Sequence, residues 1–232
     1  MKLAIMQPYL FPYIGYFQLI NSVDKFVILD NVNFIVKGYI HQNTIQNNGE
    51  KIRITFPVSN KSQNRNINEH FFLISKKSKY EFLANISKAY NKAPNFDPVF
   101  LLISEIIDFS DHNVANFNTN LLFRITKFLE INSHFVKSSE YFEQETLKGQ
   151  DRILNICKTE NASLYINPIG GINLYSKNLF NSSKIELKFL QTNSIFYKQN
   201  TKEFISNLSI IDLMMYCSKV EIKELLTKYD LI

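Results

Sequence analysis

The segment Gln7-Pro8-Tyr9-Leu10-Phe11-Pro12-Tyr13-Ile14-Gly15-Tyr16-Phe17 constrains this chain more than any other. Its two prolines lack a backbone N–H, which keeps the stretch out of a helix interior or a central strand. The apolar run Lys2-Leu3-Ala4-Ile5-Met6 just ahead of it is predicted as a buried first strand. Residues 13–20 then carry apolar side chains at helical spacing, and residues 25–29 (KFVIL) read as a second buried strand ending at Asp30. The opening is therefore β-loop-α-β, with a stiffened loop where the first strand gives way to a helix. Open α/β sheets place ligands at such carboxyl ends. Gly15 permits close approach of backbone or ligand, and first-turn N–H groups can receive a phosphate. A proline-kinked connection whose tyrosines are core accounts for the segment equally well.

The rest of the chain fits the same class. Residues 39–45 and 51–58 flank Asn48-Gly49, a strong turn signal, and are predicted as a β-hairpin. The polar stretch 59–68 reads as a loop. Apolar positions at helical spacing predict helices over 79–90, 97–107 and 116–130. Strands over 134–137, 163–167 and 185–190 then alternate with helices over 149–158 and 173–179, and helices over 210–217 and 219–229 follow. That rhythm predicts an α/β fold: a mostly parallel sheet flanked by helices, with a hairpin inserted after the second strand and a helical segment in the middle. With 232 residues and no linker-like stretch, one domain over 1–232 is expected.

Composition narrows the function. An apolar share of 45% with 20 Phe and 12 Tyr excludes a disordered chain. The net charge of +5 is scattered rather than striped, which suits a small anionic ligand better than nucleic acid. Cys157 and Cys217 sit among apolar residues and suggest neither a disulfide framework nor a zinc site. His41, His70, His112 and His134 show no metal-ligand spacing, so no metal is expected. No run is long and apolar enough for an export signal or a membrane span, so the expected location is the cytoplasm.

Five places carry candidate chemistry, each with a structural alternative. Asp30 ends the second strand and could bind a hydroxyl or take a proton from an amine, or simply cap a turn. Lys37-Gly38-Tyr39-Ile40-His41-Gln42-Asn43 puts His41 and Asn43 on one strand face with Lys37 and Tyr39, if Ile40 packs inward. Lys37 could answer a pyrophosphate and His41 could act as a general base; a lone His on a half-exposed strand is otherwise a surface residue. Asn167-Pro168-Ile169-Gly170-Gly171 is a strand-to-helix turn in which Gly170 could help cradle an anion, though neither the Rossmann nor the P-loop pattern is present. Ser209 and Asp212 form a predicted capping box. Gln199 lies in a polar loop that could reach a ligand.

Taken together, Gln7-Pro8, Pro12, Gly15-Tyr16-Phe17, Asp24, the stretch 26–30, Val32, Phe34 and the stretch 37–43 resemble the WbqC-like protein family. The likeness continues through Pro57-Val58, Tyr90-Asn91-Lys92-Ala93-Pro94, Ser138-Ser139-Glu140 and Leu208-Ser209-Ile210-Ile211-Asp212. Three departures stand out. Tyr39 replaces the family's usual Trp, His41-Gln42-Asn43 its usual Asn-Arg-Asn, and Tyr165-Ile166-Asn167-Pro168 its usual Tyr-x-Ser-Gly. An arginine suited to an anion is thus missing, and Lys37 could compensate.

The family is associated with O-antigen and related glycan biosynthesis. The resemblance implies a transferase that acylates or aminoacylates the amine of a nucleotide-linked amino sugar, drawing on acyl-CoA or an acyl-carrier protein. On this reading Asp30 or His41 is the base, Gln7 and Asn43 are polarising amides, and Tyr9 and Tyr13 are pocket walls. With no Cys-His or Ser-His-Asp arrangement, direct attack by the amine is expected over an acyl-enzyme. A nucleotidyltransferase or adenylate-forming enzyme, and a non-catalytic sugar-nucleotide-binding partner of a glycosyltransferase, are the competing readings.

Overall fold

A computed structural model describes residues 1–141 and 146–232. The first strand β1 (Lys2–Met6) leads through the proline loop into α1 (Ile14–Asn21) and β2 (Lys25–Ile28). A separate antiparallel hairpin follows, β3 (Gln42–Asn47) with β4 (Glu50–Thr55). Its tip is Asn48-Gly49, both with positive φ (51° and 87°), as the predicted two-residue turn requires. Three helices come next: α2 (Lys76–Tyr90), α3 (Phe96–Ile107) and α4 (Val114–Phe128). The second half runs through β5 (His134–Lys137), α5 (Ser138–Tyr141), α6 (Gly149–Thr159), β6 (Leu164–Pro168), α7 (Lys177–Ser182), β7 (Glu186–Thr192), α8 (Ile210–Tyr216), α9 (Lys219–Leu225) and β8 (Tyr229–Leu231).

Six strands form one mixed sheet in the order β5-β2-β1-β6-β7-β8, parallel except where β8 returns along β7. From β1 the chain winds outward to β2 and β5, then crosses to β6 and winds the other way. The order therefore reverses between β1 and β6, where the carboxyl ends of parallel strands diverge and leave a crevice.

Alternation along the strands divides the core. Leu3, Ile5, Val27, Tyr165, Leu187 and Phe189 face α6 and α7. Ala4, Phe26, Ile28, Ile166 and Leu190 face α1 and the layer built from the hairpin, α2, α3, α4 and α8. The period of two sends neighbouring residues to opposite faces, so both sides of the sheet are covered, as parallel strands require.

Two expected helices are corrected. The predicted helix over 173–179 is instead a 3₁₀ turn at Ile169–Leu174 and then α7, with Ser176 at the N-cap between them. The predicted helix over 219–229 stops at Leu225, and Tyr229–Leu231 leaves it to pair with Thr192, Gln191 and Leu190 of β7. The unpaired edge of β7 outweighs three residues of helical spacing. Residues 36–41 form turns and bends, and β3 begins only at Gln42, so the period-two argument fails there. Ile40 and His41 are both buried, while Lys37 and Tyr39 are exposed.

Candidate functional site

The proline loop is fixed before any ligand arrives. Its carbonyls point inward, where each needs a donor. Tyr16 Oη donates to Gln7 O at 2.8 Å, and Asn118 Nδ2 to Pro8 O at 3.0 Å. Asn43 Nδ2 reaches Leu10 O and Phe11 O at 3.0 and 2.9 Å, Ser209 Oγ also donates to Phe11 O, and Ile210 N to Pro12 O. Four elements (α1, β3, α4 and α8) thus hold one short loop in a single shape.

That loop forms one wall of a cavity of about 340 Å³ at the β1–β6 reversal. Met6, Pro168 and Leu190 supply the strand ends, while Tyr9, Tyr13, Tyr16 and Tyr39 give it an aromatic lining. Tyr9 packs against Tyr16 at 5.6 Å and against Tyr39 at 5.8 Å between ring centroids. Burial drives the Tyr9 and Tyr16 hydroxyls above the ordinary phenol range, so both stay protonated and neutral. Gly15 is a steric requirement: a Cβ there would lie 2.2 Å from the Tyr13 hydroxyl, so the Tyr13 ring rests on the helix start because position 15 is bare. Tyr13 at the N-cap of α1 makes no side-chain capping bond, and the first turn holds no acidic residue.

Of the residues singled out from sequence, Tyr9, Tyr13, Gly15 and Asn43 meet at this cavity. Asn43 is also bound to the loop, so it is a wall rather than a free amide. Gln7 stands at the end of β1 with its Oε1 buried and unpartnered among the described residues.

The others lie elsewhere. Asp30 is 1% exposed, and its carboxylate accepts from Ser138 Oγ (2.9 Å), Ser139 N (2.9 Å) and Ser139 Oγ (2.6 Å). It clasps the start of α5 to the end of β2. His41 is buried against Phe34, with Lys61 Nζ 3.3 Å from its Nε2. Burial, then the positive charges of Lys61 and Arg53, lower its pKa to about 4, so it is neutral near pH 7 and a weak base. Lys37 borders a different, open groove with Asn33 and Asn64. Gly170 is exposed in the 3₁₀ turn and lines neither this cavity nor its neighbour.

Gln199 and Asp212 belong to one buried polar cluster. The Asp212 carboxylate accepts from Tyr90 Oη (2.9 Å), Tyr197 Oη (2.7 Å) and Gln199 Nε2 (2.9 Å). Burial raises its pKa above the ordinary carboxylate value of 3.8, against the opposing pull of those donors. The predicted capping box is thereby corrected. Ser209 does cap α8 by accepting from Ile211 N, but Asp212 turns into the core instead of reaching back. Tyr16, Tyr39, Pro168 and Asn207 complete the tyrosine cavity and were not singled out for ligand contact from sequence. Tyr16, Tyr39 and Pro168 each lie in a stretch that the sequence marked for other residues, whereas Asn207 does not.

Among the described residues no group of three or more His, Cys, Asp or Glu could hold a metal ion, and no helix is long and apolar enough to cross a membrane. Burial pushes both thiols up to about 12, which leaves Cys157 and Cys217 as core residues.

Fold and crevice together define an open α/β chain with a preformed aromatic pocket at its switch point. The WbqC-like protein family matches residues 7–224, and the chain belongs to that family. It is 26% identical over 217 residues to "Uncharacterized protein Rv1507c" of Mycobacterium tuberculosis (strain ATCC 25618 / H37Rv), covering 92% of each chain. No solved structure matches it.

Proposed function

We propose that the tyrosine crevice binds a nucleotide-linked amino sugar, and that the chain is a transferase of surface-polysaccharide (O-antigen) biosynthesis acting on the sugar's amine. The observation that carries this reading is the crevice itself: aromatic, uncharged and set over an uncapped helix start. Tyrosine faces suit the C–H faces of a sugar ring, and their hydroxyl edges suit its oxygens. The first N–H groups of α1 suit a phosphate of the carrier nucleotide. The biosynthetic setting is what the family resemblance implies.

In the step itself the free amine attacks the carbonyl carbon of an acyl thioester. The tetrahedral oxyanion collapses, the C–S bond breaks, and the amine's proton ends on the departing thiolate, giving an amide and a thiol. Neutral donors such as Tyr9 Oη and Asn207 are suited to the oxyanion. No carboxylate or imidazole lines the crevice, so the amine enters unprotonated and neither Asp30 nor His41 is assigned a proton transfer.

Thermal unfolding with nucleotide sugars tests the reading. A ligand at about a hundred times its Kd adds about 2.7 kcal/mol to the native state, or about 5–10 °C for a chain of this length. The expected result is a shift with nucleotide-linked amino sugars, lost in Tyr9→Ala, and an amide product by mass spectrometry once an acyl thioester is added. A shift with ATP or CTP alone would favour nucleotidyl transfer. Sugar-nucleotide binding without product from any donor would leave a non-catalytic partner of a glycosyltransferase.

A further inference from the structure

A second cavity of about 700 Å³ lies beside the crevice, and Tyr13 and Asn207 line both. Its floor is the end of β7 with Ile14, Ile169, Ile210 and Leu213; its outer wall is the irregular segment between β7 and α8. One residue in five of the chain is Asp, Glu, Lys or Arg, yet neither cavity has one in its lining. Eleven aliphatic or aromatic side chains, two of them tyrosines, line the second cavity together with seven neutral polar ones. Phe196 is 71% exposed at its rim with its ring 5.1 Å from that of Phe204. Phe196 thus presents an aromatic ring at the mouth of the cavity.

We infer that this second cavity takes the hydrocarbon chain of an acyl thioester donor, with the thioester carbonyl at the Tyr13–Asn207 junction beside the sugar amine. The inference rests on the reading of the crevice above and settles on one donor class within it. An aminoacyl donor would bring an α-ammonium group that needs an acidic partner, and the lining offers none. The lining carries no cation either, so the phosphates of the donor's carrier lie outside this cavity. A straight acyl chain needs only apolar walls and room, and the cavity has the size of a small-molecule site. Because Tyr13 and Asn207 line both cavities, chain and sugar would lie side by side there, which acyl transfer requires.

Titration calorimetry with acetyl-, butanoyl-, hexanoyl- and octanoyl-CoA, and free CoA as control, reads the inference directly. Affinity should rise about two- to fourfold for each added methylene until the cavity is full, the upper value being that of complete burial. Ser194→Trp, at an exposed position in the lining, should cut octanoyl-CoA affinity about tenfold while leaving acetyl-CoA and nucleotide-sugar affinity unchanged. Equal affinity across the series, with nucleotide sugars still bound, would overturn this inference and leave the crevice reading intact. Chain-length dependence without nucleotide-sugar binding would support the acyl cavity and overturn the amino-sugar acceptor. Tighter binding of glycyl-CoA than of butanoyl-CoA would overturn the inference in favour of an aminoacyl donor.

Discussion

The two walls of the cleft are built in opposite ways. On one side, the carbonyls of Gln7, Pro8, Leu10, Phe11 and Pro12 all accept from donors on four different elements. On the other, the segment 193–209 has no regular structure and hangs largely from one cluster, in which Gln199 and Tyr197 bind Asp212 while Gln199 also holds Ile205 N and O. A buried, multiply bonded loop opens only with the whole molecule, whereas an exposed segment with few anchors opens locally. The rigid wall borders the tyrosine crevice and the loose wall borders the larger second cavity. Preorganisation lowers the cost of binding a ligand of fixed shape, and looseness accommodates chains of varied length.

Breaking the rigid wall should have the largest effect. Asn43→Leu removes the donor to Leu10 O and the acceptor of Thr44 N, leaving buried polar groups unpaired; the expected loss is about 3 kcal/mol in denaturant unfolding. Acid should strain the same side next. His41 has a native pKa of about 4 against an ordinary 6.5, so the unfolded chain binds more protons between those values. Its contribution is fully present above pH 6.5 and is lost as pH falls towards 4, and His41→Gln should flatten that part of a stability–pH curve. Asp212 slopes the other way. Its raised native pKa favours folding in acid and withdraws that support as pH climbs above 3.8, so curves for wild type and Asp212→Asn should diverge with the opposite sign.

Gln199→Ala tests the loose wall. It should cost about 1 kcal/mol overall, yet amide exchange over residues 199–207 should quicken while the sheet stays protected; a loss matching that of Asn43→Leu would mean the two walls are one unit. The smallest stability change belongs to Gly15→Ala, where a better helix former offsets a displaced Tyr13 ring, so melting should move by less than about 1 kcal/mol. Nucleotide-sugar affinity should nonetheless drop, because the displaced Tyr13 ring no longer forms its part of the crevice wall.

The parallel frame was legible because its signals are local. Leu3, Ala4 and Ile5 and residues 26–28 are continuous apolar runs, and Asn48-Gly49 specifies its own turn. What escaped reading depends on partners far along the chain. Asp212 looks like a capping residue until Tyr90, 122 positions away, supplies a hydroxyl. Tyr229–Leu231 looks helical until β7 offers an edge. For the candidate site, chain direction pointed to the proline loop and Gly15, since it brings a first βα loop to the carboxyl edge of a sheet, and the family resemblance added Tyr9 and Tyr13 as walls. Asn207 could not be read this way, because the segment that carries it has no periodicity and its position is set by the Asp212 cluster.

Phe11 sits at the bend of the rigid loop with φ of 42°, a left-handed conformation that costs a non-glycine residue about 1–2 kcal/mol. Its ring is wholly buried and stacked on Phe82 at 5.9 Å. Glycine would relax the backbone but leave a void the size of a benzene ring. Asparagine, at home in this conformation, would bury an amide among phenylalanines, and a β-branched residue would clash with its own backbone. Position 11 therefore has a very short alphabet of acceptable residues, and a saturation library at this codon would return almost nothing but the parent and its bulky unbranched kin.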